Sequence, residues 1–180
     1  MAVTQGILQI CTWDEMRGVL AHEISHVGNR DILIGSVAAS LALAITFAAR
    51  LAFFAAICGG GNDRNRGSNA FEQLALIILA PLAAALLQLA LSRSREYEAD
   101  RSGARLIGDG EPLARALSKL DAAAKRIPMQ NVRPETAQMY IINPLINPVS
   151  GKQFQFRNLF MSHPPTEDRI ARLRSREWAR

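Results

Sequence analysis

The chain has 180 residues, a net charge of +5 and an apolar fraction of 49%, of which little is aromatic. This length allows one ordinary domain with an appendage. The composition argues against nucleic-acid binding, because the basic residues form no patch interleaved with aromatic residues and no nucleic-acid motif is present. The two cysteines, Cys11 and Cys58, lie far apart and indicate no disulfide framework, as in a reducing compartment or a membrane setting.

The first predicted elements are a short strand and a helix. Residues 1–11 are expected to form a strand, within Ala2–Ile10, and a turn. Thr12 and Glu15 have the spacing of a capping box, which predicts that a helix begins there and runs to about residue 29. Apolar residues recur on one face of this helix, at Met16, Val19, Leu20 and Ile24.

This helix carries a metal-binding motif, His22-Glu23-Ile24-Ser25-His26. Residues four apart lie on the same face of a helix, so two imidazoles can bind one ion, and Zn²⁺ suits such ligands. Glu23 is placed to act as general base on a water activated by the metal. The motif also arises by chance in unrelated helices, but two of the only three histidines in the chain lie in it.

Two apolar runs follow, at residues 32–57 and 74–91. About 20 apolar residues are enough to span a bilayer as a helix, which favours a transmembrane hairpin over a pair of helices buried in a soluble core. Pro81 lies within the second run, and membrane helices tolerate proline. Residues 59–69 have the composition of a flexible turn.

The distribution of arginine predicts the orientation of the hairpin. Only two arginines lie in the connecting loop, whereas six lie near the outer ends of the spans: Arg17, Arg30, Arg93, Arg95, Arg101 and Arg105. The positive-inside rule therefore places both flanks of the hairpin in the cytoplasm.

Three further helices are predicted after the hairpin. Residues 92–107 continue from the second span, and Gly108-Asp109-Gly110 ends that helix. A second helix has its apolar face at Leu113, Leu117 and Leu120 and ends before Pro128, and a last one begins after Pro165. A short strand is expected near residues 153–156.

A catalytic zinc site needs a third protein ligand. His163 and several carboxylates are candidates. The hairpin favours the carboxylates that follow the second span, because it brings this part of the chain back beside the helix of His22. Glu96 and Asp100 are four residues apart and share a helix face, so that one can bind zinc while the other orients a ligand histidine. Glu98 points the opposite way and is expected to be solvated.

Three blocks of sequence carry a resemblance to a known family. Residues 22–31 (HEISHVGNRD), 94–100 (SREYEAD) and 160–167 (FMSHPPTE) resemble, in this order, the motifs of the HtpX group of bacterial membrane metalloproteases. The resemblance extends over nearly the whole chain. It implies a mainly α-helical gluzincin fold with an inserted two-helix transmembrane hairpin and minor β structure.

The resemblance also implies the roles of the site residues. One Zn²⁺ per chain would be bound by His22, His26 and Glu96, with Glu23 as the base. Asp100 would orient a ligand histidine, and His163 would stabilise the oxyanion. His163 can alternatively cap the final helix. Asn29 and Asp31 are expected to mark the end of the helix that carries the metal motif rather than to act on substrate.

The group cleaves misfolded or damaged membrane proteins by attack of a zinc-bound water on the peptide carbonyl. The expected location is the bacterial inner membrane, as a multi-pass protein whose active site faces the cytoplasm. The expected partners are protein substrates and the lipid bilayer, with no nucleic acid. The predicted segments are residues 1–31 with the zinc motif, residues 32–91 as the hairpin, and residues 92–180 as the remainder of the protease domain.

Two alternatives stay open at this point. A related branch processes prenylated proteins and has similar motifs, although the spelling of the blocks favours the bacterial group. The chain also looks like a truncated member that lacks upstream spans and a substrate-pairing strand. A catalytically weak membrane scaffold is therefore the second alternative. The intact Glu23 argues against it, because a scaffold has no use for a general base.

Overall fold

The computed structural model describes residues 3–58, 66–126 and 164–179, and nearly all of them are helical. The elements in chain order are α1 (Gln5–Ile10), α2 (Trp13–Gly28), α3 (Asp31–Cys58), α4 (Arg66–Ile107), α5 (Glu111–Arg126), α6 (Thr166–Arg174) and a 3₁₀ helix η1 (Glu177–Ala179). The mainly α-helical class predicted from the sequence is confirmed.

The strand predicted at Ala2–Ile10 is wrong, because Gln5–Ile10 forms the helix α1. No β-strand occurs among the described residues, so a strand here would find no partner among them for its backbone groups, whereas a helix pairs those groups within the segment. Ile7 packs against the core from this helix. The strand predicted near residues 153–156 lies outside the described residues.

The helix α2 begins where the capping box predicts. The backbone N–H of Thr12 donates to Glu15 Oε2 at 2.8 Å, and the Thr12 hydroxyl accepts from the Glu15 N–H at 3.4 Å. The helix ends at Gly28, and Arg30 follows in the left-handed region with φ 56°. This short connection leads directly into α3 at Asp31.

The chain divides into two compact units. The first unit combines Met1–Asp31 with Ser92–Arg180, and the second unit is Ile32–Leu91. The first unit has an apolar core between α2, α4, α5 and α6, formed by Met16, Val19, Ala104, Leu113, Ala114, Ala116, Leu117 and Leu173. Gly108 ends α4 with φ 73°, a conformation that glycine adopts without steric cost.

The two helices that contribute to the second unit, α3 and α4, carry long apolar stretches. Asp31–Ala55 and Leu74–Ile107 include windows that are long and apolar enough to cross a membrane, and almost none of those windows is buried within the protein. In α3 the hydroxyls of Ser36, Ser40 and Thr46 donate to backbone carbonyls one turn earlier, at 2.8–2.9 Å. Their polar groups are thus satisfied inside the helix, as a lipid environment requires. The prediction of two helices suited to a transmembrane hairpin is confirmed.

Candidate metal centre

The two histidines of α2 lie side by side. The His22 and His26 ring centroids are 4.7 Å apart, and their Nε2 atoms approach to 3.2 Å. His22 is buried and His26 is partly buried. The spacing of four residues therefore turns one nitrogen of each ring toward the same point.

The helix α4 adds Glu96 to this pair. Glu96 Oε2 lies 3.7 Å from His22 Nε2, and Oε1 lies 3.8 Å from His26 Nε2. Glu98 is half-exposed instead and pairs with Arg101 at 4.0 Å. Of the two glutamates, α4 thus turns only Glu96 toward the histidines.

The ligand atoms of His22, His26 and Glu96 have the separations that a small ion requires. They all lie within 4.8 Å of one another, and in the described part of the chain no other group of His, Cys, Asp and Glu residues is arranged in this way. A tetrahedral ion with ligands at about 2.0–2.1 Å separates its ligands by roughly 3.3 Å. The two Nε2 atoms, 3.2 Å apart, have about this separation, and each lies within 3.8 Å of one of the two Glu96 oxygens. Small side-chain adjustments would bring one oxygen to a ligand's distance from both.

A glycine allows the helices to come close enough for this arrangement. A Cβ atom added at Gly103 of α4 would lie 2.9 Å from the backbone nitrogen of His22 and 3.0 Å from its Cα. Real Cβ atoms do not make such contacts, so α4 touches the backbone of α2 at the first histidine. Gly103 follows Glu96 and Asp100 at helical spacing, and the three residues present one face to α2.

Asp100 lies against the second ring nitrogen of His22. The distance from His22 Nδ1 to Asp100 Oδ1 is 2.9 Å, although the two groups are not aligned as a strict hydrogen bond. A carboxylate beside Nδ1 favours the tautomer that keeps the Nε2 lone pair free for an ion. Burial alone would raise the pKa of Asp100, but Arg169 and His22 together lower it to about 2.

The cation behind these carboxylates is Arg169 of α6, which is only 2% exposed. Its Nε and Nη2 atoms donate to the two oxygens of Asp100 at 2.8 and 2.7 Å, and Nη1 lies 3.3 Å from Glu96 Oε2. One guanidinium therefore compensates the buried charge of two carboxylates. Burial disfavours the charged guanidinium, but Asp100 and Glu96 raise the pKa of Arg169 above its ordinary value.

Comparison with known protein families assigns the chain to one of them. The model of Peptidase family M48 matches residues 1–177. The chain belongs to this family. Since M48 is a metallopeptidase family, membership implies a metal cofactor, and the group of His22, His26 and Glu96 has the ligand chemistry for one.

Curated relatives in the M48 family are similar along nearly the whole chain. The "Protease HtpX homolog" of Syntrophobacter fumaroxidans is 50% identical over 178 residues, which are 97% of this chain and 61% of that protein. The homologs of Syntrophotalea carbinolica and Thermococcus sibiricus are 51% and 49% identical, and the match covers 60% and 59% of their lengths. The chain thus spans about three-fifths of these relatives. No solved structure matches it.

Of the two remaining predicted site residues, the structure describes Glu23 but not His163. Glu23 lies on α2 beside His22, is partly buried, and makes no hydrogen bond or ion pair to any described residue. His163 lies outside the described residues, and its role in this M48 chain stays a prediction.

Sequence reasoning missed two residues of the centre. Arg169 precedes Leu173 by one helical turn, and this phase places it on the buried face of α6. Asp31 was expected only to punctuate its helix, but its Oδ2 lies 2.5 Å from His26 Nδ1. For Asp31 the sequence holds no comparable signal, because an acidic residue at a helix start is already explained by the helix dipole.

Proposed function

We propose that this chain carries the catalytic centre of a membrane-bound zinc endopeptidase. The observation that carries the proposal is the convergence of His22, His26 and Glu96 in a chain of the M48 family. Glu23, which follows His22, makes no ion pair to any residue that the structure describes. Residues 1–31 and 92–180 would form the protease domain, and residues 32–91 would anchor it in the membrane.

The donor set favours zinc over other ions. Two imidazole nitrogens and one carboxylate oxygen are a ligand set of catalytic zinc sites, which leave one coordination position open. Harder ions such as Ca²⁺ and Mg²⁺ prefer oxygen ligands alone. When bound, zinc supplies a Lewis acid that lowers the pKa of water and polarises a peptide carbonyl.

The side chains around the centre are proposed to transfer protons, orient a ligand histidine and stabilise the developing negative charge. Glu23 takes a proton from the attacking water as general base and returns it to the leaving amine as general acid. Asp100 holds His22 in one tautomer, and Arg169 keeps Asp100 ionised. His163 is proposed to donate a hydrogen bond to the oxygen of the peptide carbonyl as negative charge develops there.

The hairpin supports a location in the plasma membrane, the inner membrane of a bacterium. Arginines flank the outer ends of the two spans, which favours a cytoplasmic active site. The proposed substrates are misfolded or damaged membrane proteins, which an anchored protease meets at the membrane surface. A cysteine at Ser68, in a variant without Cys11 and Cys58, should react with an impermeant thiol reagent from outside. Labelling only after lysis would reverse the orientation.

The catalytic proposal is tested with a variant that removes the proposed general base but none of the proposed metal ligands. We expect the purified chain in nanodiscs to bind one zinc ion and to cleave unfolded casein. Glu23→Gln should keep the zinc but lower the cleavage rate by about 10²–10⁴-fold, because it removes the general base and no ligand. Glu98→Gln, which changes a half-exposed carboxylate on α4, is the control and should retain both properties.

Two results would contradict this assignment. Cleavage by Glu23→Gln at the wild-type rate would exclude Glu23 as the base. Loss of zinc from that variant would mean that Glu23 is itself a ligand.

A further inference from the structure

Asp31 lies where α3, the first candidate membrane helix, begins. It is the first residue of α3 and is 7% exposed. The chain reaches this position through Asn29 and the left-handed Arg30, which together turn it after the end of α2. The left-handed conformation costs roughly 1–2 kcal/mol for a residue with a Cβ atom. The turn therefore holds Asp31 close to His26 at a cost in strain, as is common at functional sites.

The carboxylate of Asp31 contacts the nitrogen of His26 that faces away from the metal centre. His26 Nδ1 lies 2.5 Å from Asp31 Oδ2, while its Nε2 atom lies toward His22 and Glu96. If Nδ1–H donates to the carboxylate, Nε2 carries a free lone pair. Such a carboxylate also makes the imidazole a stronger base and hence a better ligand.

A second helix holds Asp31 in this position. Arg95 of α4 donates from Nη1 to the backbone carbonyl of Asp31 at 2.7 Å. The next residue of α4 is Glu96, so consecutive residues of one helix fix the partner of His26 and supply the third candidate ligand. Because Arg95 contacts the backbone and not the carboxylate, the charge of Asp31 stays available to His26.

We propose that Asp31 is the positioning residue of His26. It selects the tautomer with the proton on Nδ1 and thereby sets the metal affinity of the centre, as Asp100 does for His22. The inference rests on the proposed metal site. It adds that the start of a membrane helix, clamped by Arg95, supplies one of the two carboxylates that orient the histidines.

The test uses the full chain in nanodiscs and two measurements. The first is the dissociation constant of Zn²⁺, measured by chelator competition for wild type, Asp31→Asn and Asp31→Ala. We expect Asp31→Ala to bind zinc about 10–100-fold more weakly, which is the usual effect of losing such a partner. Asp31→Asn should lose less, because an amide oxygen can still accept the hydrogen bond from Nδ1. Asp109→Asn is the matched control and should bind zinc like wild type, because Asp109 lies just before α5 and accepts a hydrogen bond from the Glu111 N–H.

The second measurement needs no metal. The chain has only three histidines, so ¹⁵N labelling of histidine gives three sets of ring signals, which can be assigned by substitution. In zinc-free wild type we expect His26 to carry its proton on Nδ1, and in Asp31→Ala we expect a larger share on Nε2. A purely structural role would lower the unfolding temperature without changing this tautomer ratio.

The outcomes distinguish this inference from the proposed function. If wild type binds no zinc, or His22→Ala binds it equally well, the metal site itself is wrong. If wild type binds zinc through His22 but Asp31→Ala retains the affinity within twofold and the same His26 tautomer, only the role of Asp31 is overturned.

Discussion

In the first unit of the chain the buried side chains include Glu15, Asp31, Asp100 and Arg169, whereas in the second unit the described buried side chains are the small apolar ones of Ala42 and Ala49. Large apolar side chains in the second unit face outward instead, as Leu43 and Ile78 do. The helix α4 contributes to both units and follows both patterns, with outward apolar residues before Leu91 and inward polar residues after it.

This difference is the one expected if the second unit lies in lipid and the first in water. A water-soluble unit can bury charges only if they are paired, since an unpaired buried charge costs several kcal/mol. A unit in lipid gains by exposing apolar groups and by satisfying its polar groups internally. Removing a buried charge should therefore destabilise the first unit, whereas adding a charge should disfavour membrane insertion of the second.

The largest effect is expected when the buried cation of the first unit is removed. Arg169→Ala leaves Asp100 and Glu96 buried without their cation, which should cost about 3–5 kcal/mol. We expect the unfolding temperature of the zinc-free protein in detergent to fall by roughly 10 °C. Differential scanning fluorimetry measures this shift.

The matched control for Arg169 is Arg174, on the same helix. Its guanidinium contacts both oxygens of Glu111 at 3.2 Å, but both partners are exposed to solvent. Arg174→Ala should therefore cost less than about 1 kcal/mol. Equal shifts for the two variants would show that burial of the Arg169 network does not contribute to stability.

The second prediction compares two positions on α4 with the same exposure. Ile78 in the second unit and Leu106 in the first are both 61% exposed. If Ile78 faces lipid, Ile78→Asp should disfavour membrane insertion by about 2.5–3.5 kcal/mol. Leu106→Asp places the same charge in water and should change stability by less than about 0.5 kcal/mol. Alkaline extraction of membranes measures the inserted fraction, and equal extraction of both variants would argue against a hairpin in lipid.

The smallest predicted effect concerns Glu15, whose carboxylate accepts hydrogen bonds from Thr12 and from Lys119 of α5. Burial alone would raise the pKa of Glu15, but these partners hold it below its ordinary value. Its contribution to stability is therefore present above the unfolded pKa of about 4.3 and is lost as the pH falls through the lower folded value.

The variant Glu15→Gln isolates this contribution. Between pH 6 and pH 3 the unfolding temperature of wild type should fall more steeply than that of Glu15→Gln, because only wild type has the carboxylate to protonate. Parallel curves for the two proteins would mean that Glu15 takes no part in the acid sensitivity.

Patterns that repeat along the chain made most of the helices predictable. The capping residues Thr12 and Glu15 located the start of α2, and the apolar runs located α3 and the first part of α4. The segment at Ala2–Ile10 was misassigned because the six residues of α1 are too few for periodicity to distinguish a helix from a strand.

The candidate centre was predictable only where spacing on one helix determines it. The spacing of His22 and His26 and the shared face of Glu96 and Asp100 follow from helix geometry, and their assignment as ligands and partner stays a prediction. Arg169 was missed because charged residues near a chain end are normally solvated. Its role depends on the packing of α6 against α4, which no local pattern encodes.

The contact at Gly103 has a consequence for ion selection. With the α4 backbone already against that of α2 at His22, the two helices cannot approach further, and any larger residue at position 103 would separate them. This close approach of the two backbones brings the side chains of His22 and Glu96 near each other. Ca²⁺ takes ligands at about 2.3–2.6 Å and needs six to eight of them. We therefore expect the opening between α2 and α4 to suit a small tetrahedral ion better than a larger ion such as Ca²⁺.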